Sequence, residues 1–560
     1  MTAPSVIEVP VLVVGAGPTG LSASLLLSRH GIESLTVERH PGTSIYPRAT
    51  GINARTMEVF RALGVEGEVR AAAFTAVRRM ARSAVLVDDG DLSSAPMPVD
   101  GMARVSPSVW TSCSQYELEP ILARAAASQS SAQLQFGTEL VGFENTDRGI
   151  TAQIVDQATD RVSEVRCRFL IAADGAGSRI RRRLGIEMHG PGALMENLSI
   201  HFRAPLRQLL GREPDFLHFV ANGPGVFAPT DNESRWMFAV LAARELAPTK
   251  AIELVRAGSG VPDLEVEILG MVPWTMQADW AESWRSGDVF LAGDAAHRMT
   301  PAGGHGLNTG VQDVHNLCWK IAAVLQGWAG PELLDTYQAE RLPVAHFNAT
   351  HSVTLVTGEP QADERSEADI DLGFVYESSA VIRDGDNAAS ARPGARAPHM
   401  WMGSDTLRTS TLDLFGPRFT LLAGSQDGAW CQAAKTISRE RGIPMAQRRM
   451  FSRAWHSLYG VGETGAVLVR PDGHVAWRRA SSAADHSAEL GTALSAILAV
   501  DSPKLGWSEC ARTESTPAER SPSATWAGSV TSPSAWPTRT AGFDFSSPDL
   551  TSGSSPRTAN

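Results

Sequence analysis

The chain has 560 residues, room for about three to four domain-sized units, and with 43% hydrophobic and 20% charged residues it is neither a wholly disordered nor a fibrous protein. Its 50 Lys and Arg against 61 Asp and Glu leave a net charge of -11, the wrong sign for a dedicated nucleic-acid binder. Five scattered cysteines (Cys113, Cys167, Cys318, Cys431, Cys510) form no CxxC pair and no Cys/His ligand spacing, so no metal site and no disulfide framework is expected, and a reducing cytoplasm fits best. No apolar run reaches the roughly 18 residues of a membrane span, and the stretch from Val9 to Leu27 is broken by Gly15, Gly17, Pro18 and Gly20 with no basic region before it, which argues against a signal peptide.

Val9-Pro-Val-Leu-Val-Val14 has the composition of a strand buried on both faces, and it opens directly into Gly15-Ala-Gly-Pro-Thr-Gly20 and a helical pattern from Leu21 to Arg29. In this GxGxxG, Gly15 permits a tight turn, Gly17 lets backbone approach a pyrophosphate, Gly20 allows close helix-to-strand packing, and Pro18 and Thr19 open the helix whose N-terminus faces the phosphates. The next strand, Ser34 to Val37, ends in Glu38, an acid placed to accept hydrogen bonds from ribose hydroxyls. A lone GxGxxG is often an ordinary glycine turn; the strand, helix and acid around this one favour a dinucleotide site. Arg39 either stacks on an adenine or is a plain surface arginine.

Two further strand-like runs follow. Phe169-Leu-Ile-Ala-Ala173 ends at Asp174-Gly175 before a basic helix start at 176–184. Asp288-Val-Phe-Leu-Ala292 runs into Gly293-Asp-Ala-Ala-His-Arg-Met-Thr-Pro-Ala-Gly-Gly-His-Gly-Leu-Asn-Thr-Gly310 and an amphipathic helix through Leu325.

The ordered set GAGPTG, AADGAGS and GDVFLAGDAAH with PAGGHGLNTG resembles the class A flavin-dependent aromatic hydroxylases, the para-hydroxybenzoate hydroxylase fold. The likeness covers about residues 8 to 500, and the stretch Ser44 to Glu58 is most similar to hydroxylases of aklavinone- or tetracenomycin-type polyketides. The resemblance implies an α/β chain: a discontinuous Rossmann-like FAD domain (1–75, 111–187, 285–390), an antiparallel-sheet substrate domain (76–110, 188–284) and a thioredoxin-like domain (391–500). It implies FAD as cofactor, NADPH as co-substrate, and hydroxylation of a phenolic ring by a flavin C4a-hydroperoxide formed from O2, with no metal. It also implies that Asp294 accepts a hydrogen bond from the ribityl chain and that Gly306, Leu307 and Asn308 offer amides to the flavin pyrimidine edge. A helix N-terminus there suits the negative charge of reduced flavin. Pro301, Gly303, Gly304 and His305 form the flavin loop; Gln115 touches the flavin chain, or is a solvated residue near a helix cap; Arg48 belongs to a loop near the pyrophosphate; and Asp174 lies between FAD and the nicotinamide path. Thr300 stands where several relatives carry proline. Among Pro301, Gly303 and His305, the flavin-loop candidates for catalysis, no side-chain acid or base is assigned, and His297 and His305 read as structural or solvent-facing.

Between Met188 and Trp284, alternating runs at 198–202, 216–220, 225–229, 235–240 and 264–269 predict an antiparallel sheet. The resemblance implies that this sheet roofs the flavin and that its inward face, with Phe219, Phe227, Trp236 and Phe238, forms a floor for substrate, although alternating aromatics in a sheet are commonly core. Farther on, Phe419–Leu422, a helix over 428–442 and the hairpin 466–477 give the βαβ-then-ββ arrangement of the third domain, where Cys431 alone supports no dithiol chemistry. From about Asp501 the Ser/Thr/Pro-rich composition predicts a disordered tail.

The expected protein is therefore a cytoplasmic monomer or homodimer that hydroxylates a polycyclic aromatic small molecule, with no nucleic-acid or membrane partner. The alternatives are a Baeyer-Villiger, epoxidising or drug-inactivating oxygenase on the same fold, and a non-catalytic FAD carrier or scaffold.

Overall fold

Three valines and a leucine, Val11–Val14, are all buried and lie at the centre of a six-stranded sheet. The computed structural model describes residues 5–87, 93–96, 101–146, 149–358, 365–385, 390–404, 407–426 and 428–500; the tail expected from Asp501 onward lies outside them. The sheet runs in the order Arg285–Ser286, Val289–Leu291, Phe169–Ala172, Val11–Val14, Ser34–Glu38 and Ala132–Phe136. Every neighbouring pair is parallel except the first. Strands covered on both faces need continuous apolar sequence, which is why Val11–Val14 and Phe169–Ala172 show no alternation. Helix Pro18–Arg29 packs against Gln115–Ala127 and His305–Leu325. A second sheet, Ser5–Glu8, Arg161–Cys167, Gly149–Asp156 and Thr138–Thr146, adds Ile150, Ile154 and Val165 to the same core.

The expected sheet between Met188 and Trp284 is part of an eight-stranded one: His297–Arg298, Glu267–Ala281, Met188–Arg203, Arg235–Leu241, Gly225–Pro229, Asp215–Val220, Val77–Ser83 and Ser93–Pro96. It is antiparallel except where Asp215–Val220 runs parallel to Val77–Ser83. The last run expected at 264–269 is instead the start of the 15-residue strand Glu267–Ala281, and 198–202 is the end of the 16-residue strand Met188–Arg203. Bulges interrupt their pairing between His189 and Gly192, Ala193 and Met195, and His201 and Phe202, so the period-two pattern that marks a strand is broken in sequence though the strands continue.

Cross-strand register assigns the two faces of this sheet. Phe227 is opposite Phe238, which is opposite Ile200, and Trp236 is opposite Phe202. These side chains pack with Ala251 and Val255 of helix Pro248–Ser259. The other face carries Ser199, His201, Met237 and Ala228, with Phe219 in line through Val226 and Ala239.

The C-terminal sheet has the order Met445–Met450, Phe419–Gly424, Ala466–Val469, Val475–Arg479, with only the first pair parallel. Helices Gly428–Arg441 and His486–Leu498 pack together beside it. The fold class is mixed α/β. Among the described residues no helix is long and apolar enough to cross a membrane, and no group of three or more His, Cys, Asp or Glu is placed to hold a metal ion.

Candidate functional site

The glycines of the first turn differ in what surrounds them. Gly15 has φ +105°, and a Cβ there would lie 2.2 Å from the Ala173 carbonyl oxygen; a Cβ on Gly20 would lie 1.9 Å from the Gly15 carbonyl oxygen. Both positions are closed by backbone packing. At Gly17 the nearest atom to such a Cβ is Glu119 Oε1 at 4.0 Å, so the space over this glycine is open. Gly17 is the N-cap of helix Pro18–Arg29, with Pro18 in its first turn and no side chain capping its amides. Unclaimed N–H groups facing open space form a cradle for a phosphate. Thr19 points the other way, and its Oγ1 would be 2.6 Å from a Cβ on Gly293 and 2.4 Å from one on Gly310, which joins the first helix to the GD turn and to helix His305–Leu325.

Glu38 ends its strand beside this turn: Oε2 accepts from the Ala16 amide at 2.9 Å and Oε1 from the His40 amide at 2.9 Å. Burial alone would raise the carboxyl, but these bonds outweigh it and hold Glu38 below its usual range. Arg39 is exposed. Asp174 follows the third parallel strand; its Oδ2 accepts from the Arg179 and Ile180 amides at 2.9 and 3.3 Å, capping the short helix Arg179–Arg183, while Oδ1 is buried without a partner.

Gln115 is the first residue of helix Gln115–Ala127 and donates from Nε2 to Glu119 Oε1 at 2.6 Å. The other Glu119 oxygen accepts from the Ser44 amide at 2.5 Å, and the Gln115 amide donates to the Ala49 carbonyl at 2.9 Å. The 44–50 loop is thereby fastened over the start of this helix. Within it Arg48 has φ +24°, and its charge acts on Glu119, Asp294 and His201, so it stands where the first sheet, the GD turn and the eight-stranded sheet meet. Asp294 is exposed, and desolvation by the atoms around it raises its carboxyl above the usual range.

The flavin-loop segment is a tight 3₁₀ turn, Ala302–Gly304, with Pro301 at its N-cap and Gly303 and Gly304 at φ +81° and +68°. Pro301, Gly303 and Gly304 are exposed. Helix His305–Leu325 begins there with no side-chain cap, leaving the amides of its first turn, including those of Gly306 and Leu307, available. Asn308 keeps its side chain for the scaffold: Nδ2 donates to the Gly304 and Gly51 carbonyls at 2.7 and 3.0 Å, and Oδ1 accepts from the Asn53 amide at 3.0 Å. His305 is buried; burial and then His351, 5.6 Å away between ring centroids, lower it to about 4, which keeps it neutral.

Three of the four residues expected to meet substrate are displaced from that role. Phe227, Trp236 and Phe238 are 0–2% exposed and belong to the face packed on helix Pro248–Ser259, because alternation turns them away from the side that meets the 44–50 loop. Phe219 is on the loop-facing side, half-buried under the Arg82 guanidinium at 4.9 Å. That side is marked by the Tyr46 ring 5.1 Å from His201, by Gly270 against Tyr46, and by Trp274 Nε1 donating to Ser199 Oγ at 2.9 Å.

Sequence reasoning also missed groups that no local pattern announces. Glu119 and the Arg341–Asp313–His297 chain are buried polar groups on helices or turns, where acids and bases ordinarily read as solvated faces. Asp313 Oδ2 is 2.6 Å from His297 Nε2 and 3.2 Å from the Gly293 amide, and Oδ1 accepts from Arg341 Nε at 2.9 Å, so His297 is structural and braces the GD turn from behind. Ser83, His218 and Asp215 form another suggestive line, with Oγ to Nε2 at 2.6 Å and Nδ1 to Oδ2 at 3.0 Å. Here the Ser83 hydroxyl is also 2.5 Å from the Val85 carbonyl, an acceptor that claims its proton. Burial would raise Asp215, yet His218 and Arg79 bring it down to about 2, and the cluster reads as an ion-paired sheet edge.

Comparison with known proteins identifies the family. Residues 8–352 match the FAD binding domain family, and residues 390–500 match the C-terminal domain of aromatic-ring hydroxylases. The chain belongs to the FAD-dependent aromatic-ring hydroxylases. It is 38% identical to the tetracenomycin A2 monooxygenase-dioxygenase of Streptomyces glaucescens, over 88% of this chain and 97% of that one. It is also 38% identical to an aklavinone 12-hydroxylase of Streptomyces purpurascens, over 88% and 99%. A solved aklavinone-11 hydroxylase, in complex with FAD and aklavinone, superposes with a TM-score of 0.81 at 35% identity, covering 88% of this chain and 99% of that one. The enzyme is an FAD-dependent aromatic hydroxylase.

Proposed function

We propose that the enzyme uses NADPH and O2 to hydroxylate a polycyclic aromatic polyketide or related phenol, in the cytoplasm. The observation that carries this reading is the coincidence, around one cleft, of an open phosphate cradle at Gly17, an acid at Glu38, a carboxylate at Asp294 and an uncapped helix start at Gly304–Asn308. These residues fit FAD laid from Glu38 at the adenosine end to the amides of Gly306, Leu307 and Asn308 at the ring end, with Gln115 and Arg48 over its middle. The relatives named above, which act on tetracenomycin A2 and aklavinone, support a polycyclic substrate.

Bound flavin supplies the redox chemistry that joins NADPH oxidation to O2 activation. The protein's part is positional. Uncapped amides at residues 305–308 stabilise negative charge at the ring edge by a few kcal/mol at most. The loop-facing side of the eight-stranded sheet, with Ser199, His201, Phe219 and Trp274, forms the wall against which a flat substrate lies. Asp174 lies toward the nicotinamide path. Pro301 and Gly303 shape the loop, and buried neutral His305 backs it without serving as acid or base. The division into an FAD domain (1–75, 111–187, 285–390), a sheet domain (76–110, 188–284) and a thioredoxin-like domain (391–500) is supported by the six-stranded, eight-stranded and C-terminal sheets, although strand His297–Arg298 of the eight-stranded sheet comes from the FAD-domain segment. The parallel strand order of the first fits a Rossmann-like unit, and the order of the C-terminal sheet fits a thioredoxin-like one. With Cys431 alone and no CxxC, that last domain has a structural or dimerisation role rather than one in disulfide exchange.

The test is anaerobic reduction by NADPH, followed at the oxidised flavin band with and without an anthracyclinone. Reduction is expected to be slow alone and to accelerate by orders of magnitude with ligand. A flavin that NADPH never reduces favours the carrier or scaffold alternative.

A further inference from the structure

Arg78, on the edge-side strand Val77–Ser83, lies over the Trp110 ring, 3.9 Å from its centroid. The guanidinium is half-buried, its Nε is sealed from solvent with no partner, and no described residue forms a hydrogen bond or ion pair with it. The sheet's other arginines at this end are differently placed: Arg79 is bonded to Asp215, and Arg82 covers Phe219. A cation removed from water without a bonded counter-ion is costly, and burial here lowers Arg78 to about 10. Asp371 and Glu367 act on it only at longer range. Asp371 is itself bound to Asn53 Nδ2 at 2.7 Å, and burial lifts its carboxyl to about 7, so it is a weak counter-charge near neutrality.

The shelf on which Arg78 lies leads to the flavin loop. Trp110 is backed edge-on by Phe216 at 5.0 Å, and its Cζ2 would be 3.1 Å from a Cβ on Gly51, so the indole rests directly on backbone there. The Gly51 carbonyl is the one held by Asn308, in the first turn of helix His305–Leu325. One aromatic residue and one hydrogen bond thus separate an unpaired guanidinium from the ring end of the cofactor site.

Resting on the hydroxylase reading above, we infer that Arg78 and Trp110 form a specificity-determining subsite for a carboxylate carried on the planar aromatic substrate. The indole supplies a flat surface for the ring system, and the guanidinium fork matches a carboxylate coplanar with it, with two parallel N–H donors to two oxygens. An ionised phenol offers one oxygen and uses half of that fork. Trp110 keeps the fork flat and dry, and Glu367 and Asp371, which act on it only at longer range, leave it unoccupied. Substrates with a ring carboxylate are selected over their esters, and lysine, a point charge without the fork, replaces Arg78 poorly.

The experiment is a binding comparison on the FAD-loaded full chain, read by the change in flavin absorbance, with a dihydroxyanthraquinone carboxylic acid and its methyl ester. Wild type is expected to favour the acid by about 10- to 100-fold, the ratio of a charge-assisted pair worth roughly 1.5–3 kcal/mol. Arg78→Met is expected to abolish the ratio and Arg78→Lys to restore part of it. Glu367→Gln, which leaves Arg78 in place, is expected to raise the ratio, so the test survives if the Arg78 variants fold poorly. FAD content and Tm report on folding in each variant. Equal binding of acid and ester to wild type, or an undiminished ratio in folded Arg78→Met, overturns this inference and leaves the hydroxylase reading intact. Binding of neither ligand, together with no ligand effect on NADPH reduction, contradicts both.

Discussion

Gly15→Ala yields a protein that retains no FAD and unfolds at a markedly lower temperature. At φ +105° a side chain costs on the order of 1–2 kcal/mol from backbone strain alone. The added carbon would also sit 2.2 Å from the Ala173 oxygen and 2.8 Å from its carbonyl carbon, both backbone atoms of the adjoining parallel strand, which cannot swing aside as a side-chain tip would. Relief requires Val11–Val14 and Phe169–Ala172 to move apart, and these two strands are the middle of the central sheet. Gly17→Ala is the matched control. Its backbone is ordinary, at φ -73°, and its Cβ meets nothing nearer than Glu119 at 4.0 Å. That variant is expected to keep the melting temperature of the FAD-free protein and to bind FAD about 10- to 100-fold more weakly, because the methyl occupies the phosphate's space. Calorimetry of FAD-free and FAD-loaded samples checks both, and wild-type FAD retention by Gly15→Ala would contradict the assignment of the turn.

The second large effect is expected at Glu340. Its carboxylate is fully buried and meets Arg470 through both oxygens at 2.6 and 2.8 Å, Lys320 Nζ at 2.8 Å, Asn316 Nδ2 at 2.6 Å and Ser378 Oγ at 2.6 Å. Arg470 continues to Asp472, which accepts from Trp319 Nε1 at 3.2 Å. Burial would raise Glu340, but Arg470 and Lys320 outweigh it and hold the carboxyl well below its usual range; burial meanwhile lowers Lys320 to about 8. The network joins helices His305–Leu325 and Thr336–Thr357 to the C-terminal hairpin. Glu340→Ala leaves the buried Lys320 ammonium without a counter-ion and Arg470 with Asp472 alone, a loss of about 3–5 kcal/mol. Because the broken contacts cross between units, limited proteolysis is expected to release the region after residue 390 in this variant and not in wild type. Unchanged Tm and protease resistance would show that the network carries no docking energy.

The elements that sequence made legible are those whose pattern is local. Val11–Val14, Phe169–Ala172 and helix His305–Leu325 are continuous or strongly amphipathic, and the GxGxxG turn lies between a strand and a helix as its glycines require. The strands Met188–Arg203 and Glu267–Ala281 were legible only in part, because Gly190, Pro191, Gly192, Gly270 and Pro273 read as breaks while paired bulges carry the strands through. The face of the sheet was not legible: Phe227, Trp236 and Phe238 alternate correctly, but period two alone does not say which side meets the cofactor. Glu119, Asp313 and Glu340 could not be found at all, since each depends on a partner 16 to 130 residues away: Ser44 for Glu119, His297 for Asp313 and Arg470 for Glu340. The alternation in Ile150-Thr-Ala-Gln-Ile-Val, by contrast, was an available signal for the second sheet.

At this site we propose that an aromatic ring is hydroxylated with oxygen from O2. The most direct measurement is mass spectrometry of a polycyclic phenol turned over by the FAD-loaded enzyme with NADPH under ¹⁸O₂. One labelled oxygen is expected in the product per NADPH consumed in coupled turnover. Rapid NADPH oxidation that releases only hydrogen peroxide with every polycyclic phenol offered, or a gained oxygen that comes from water, would contradict it.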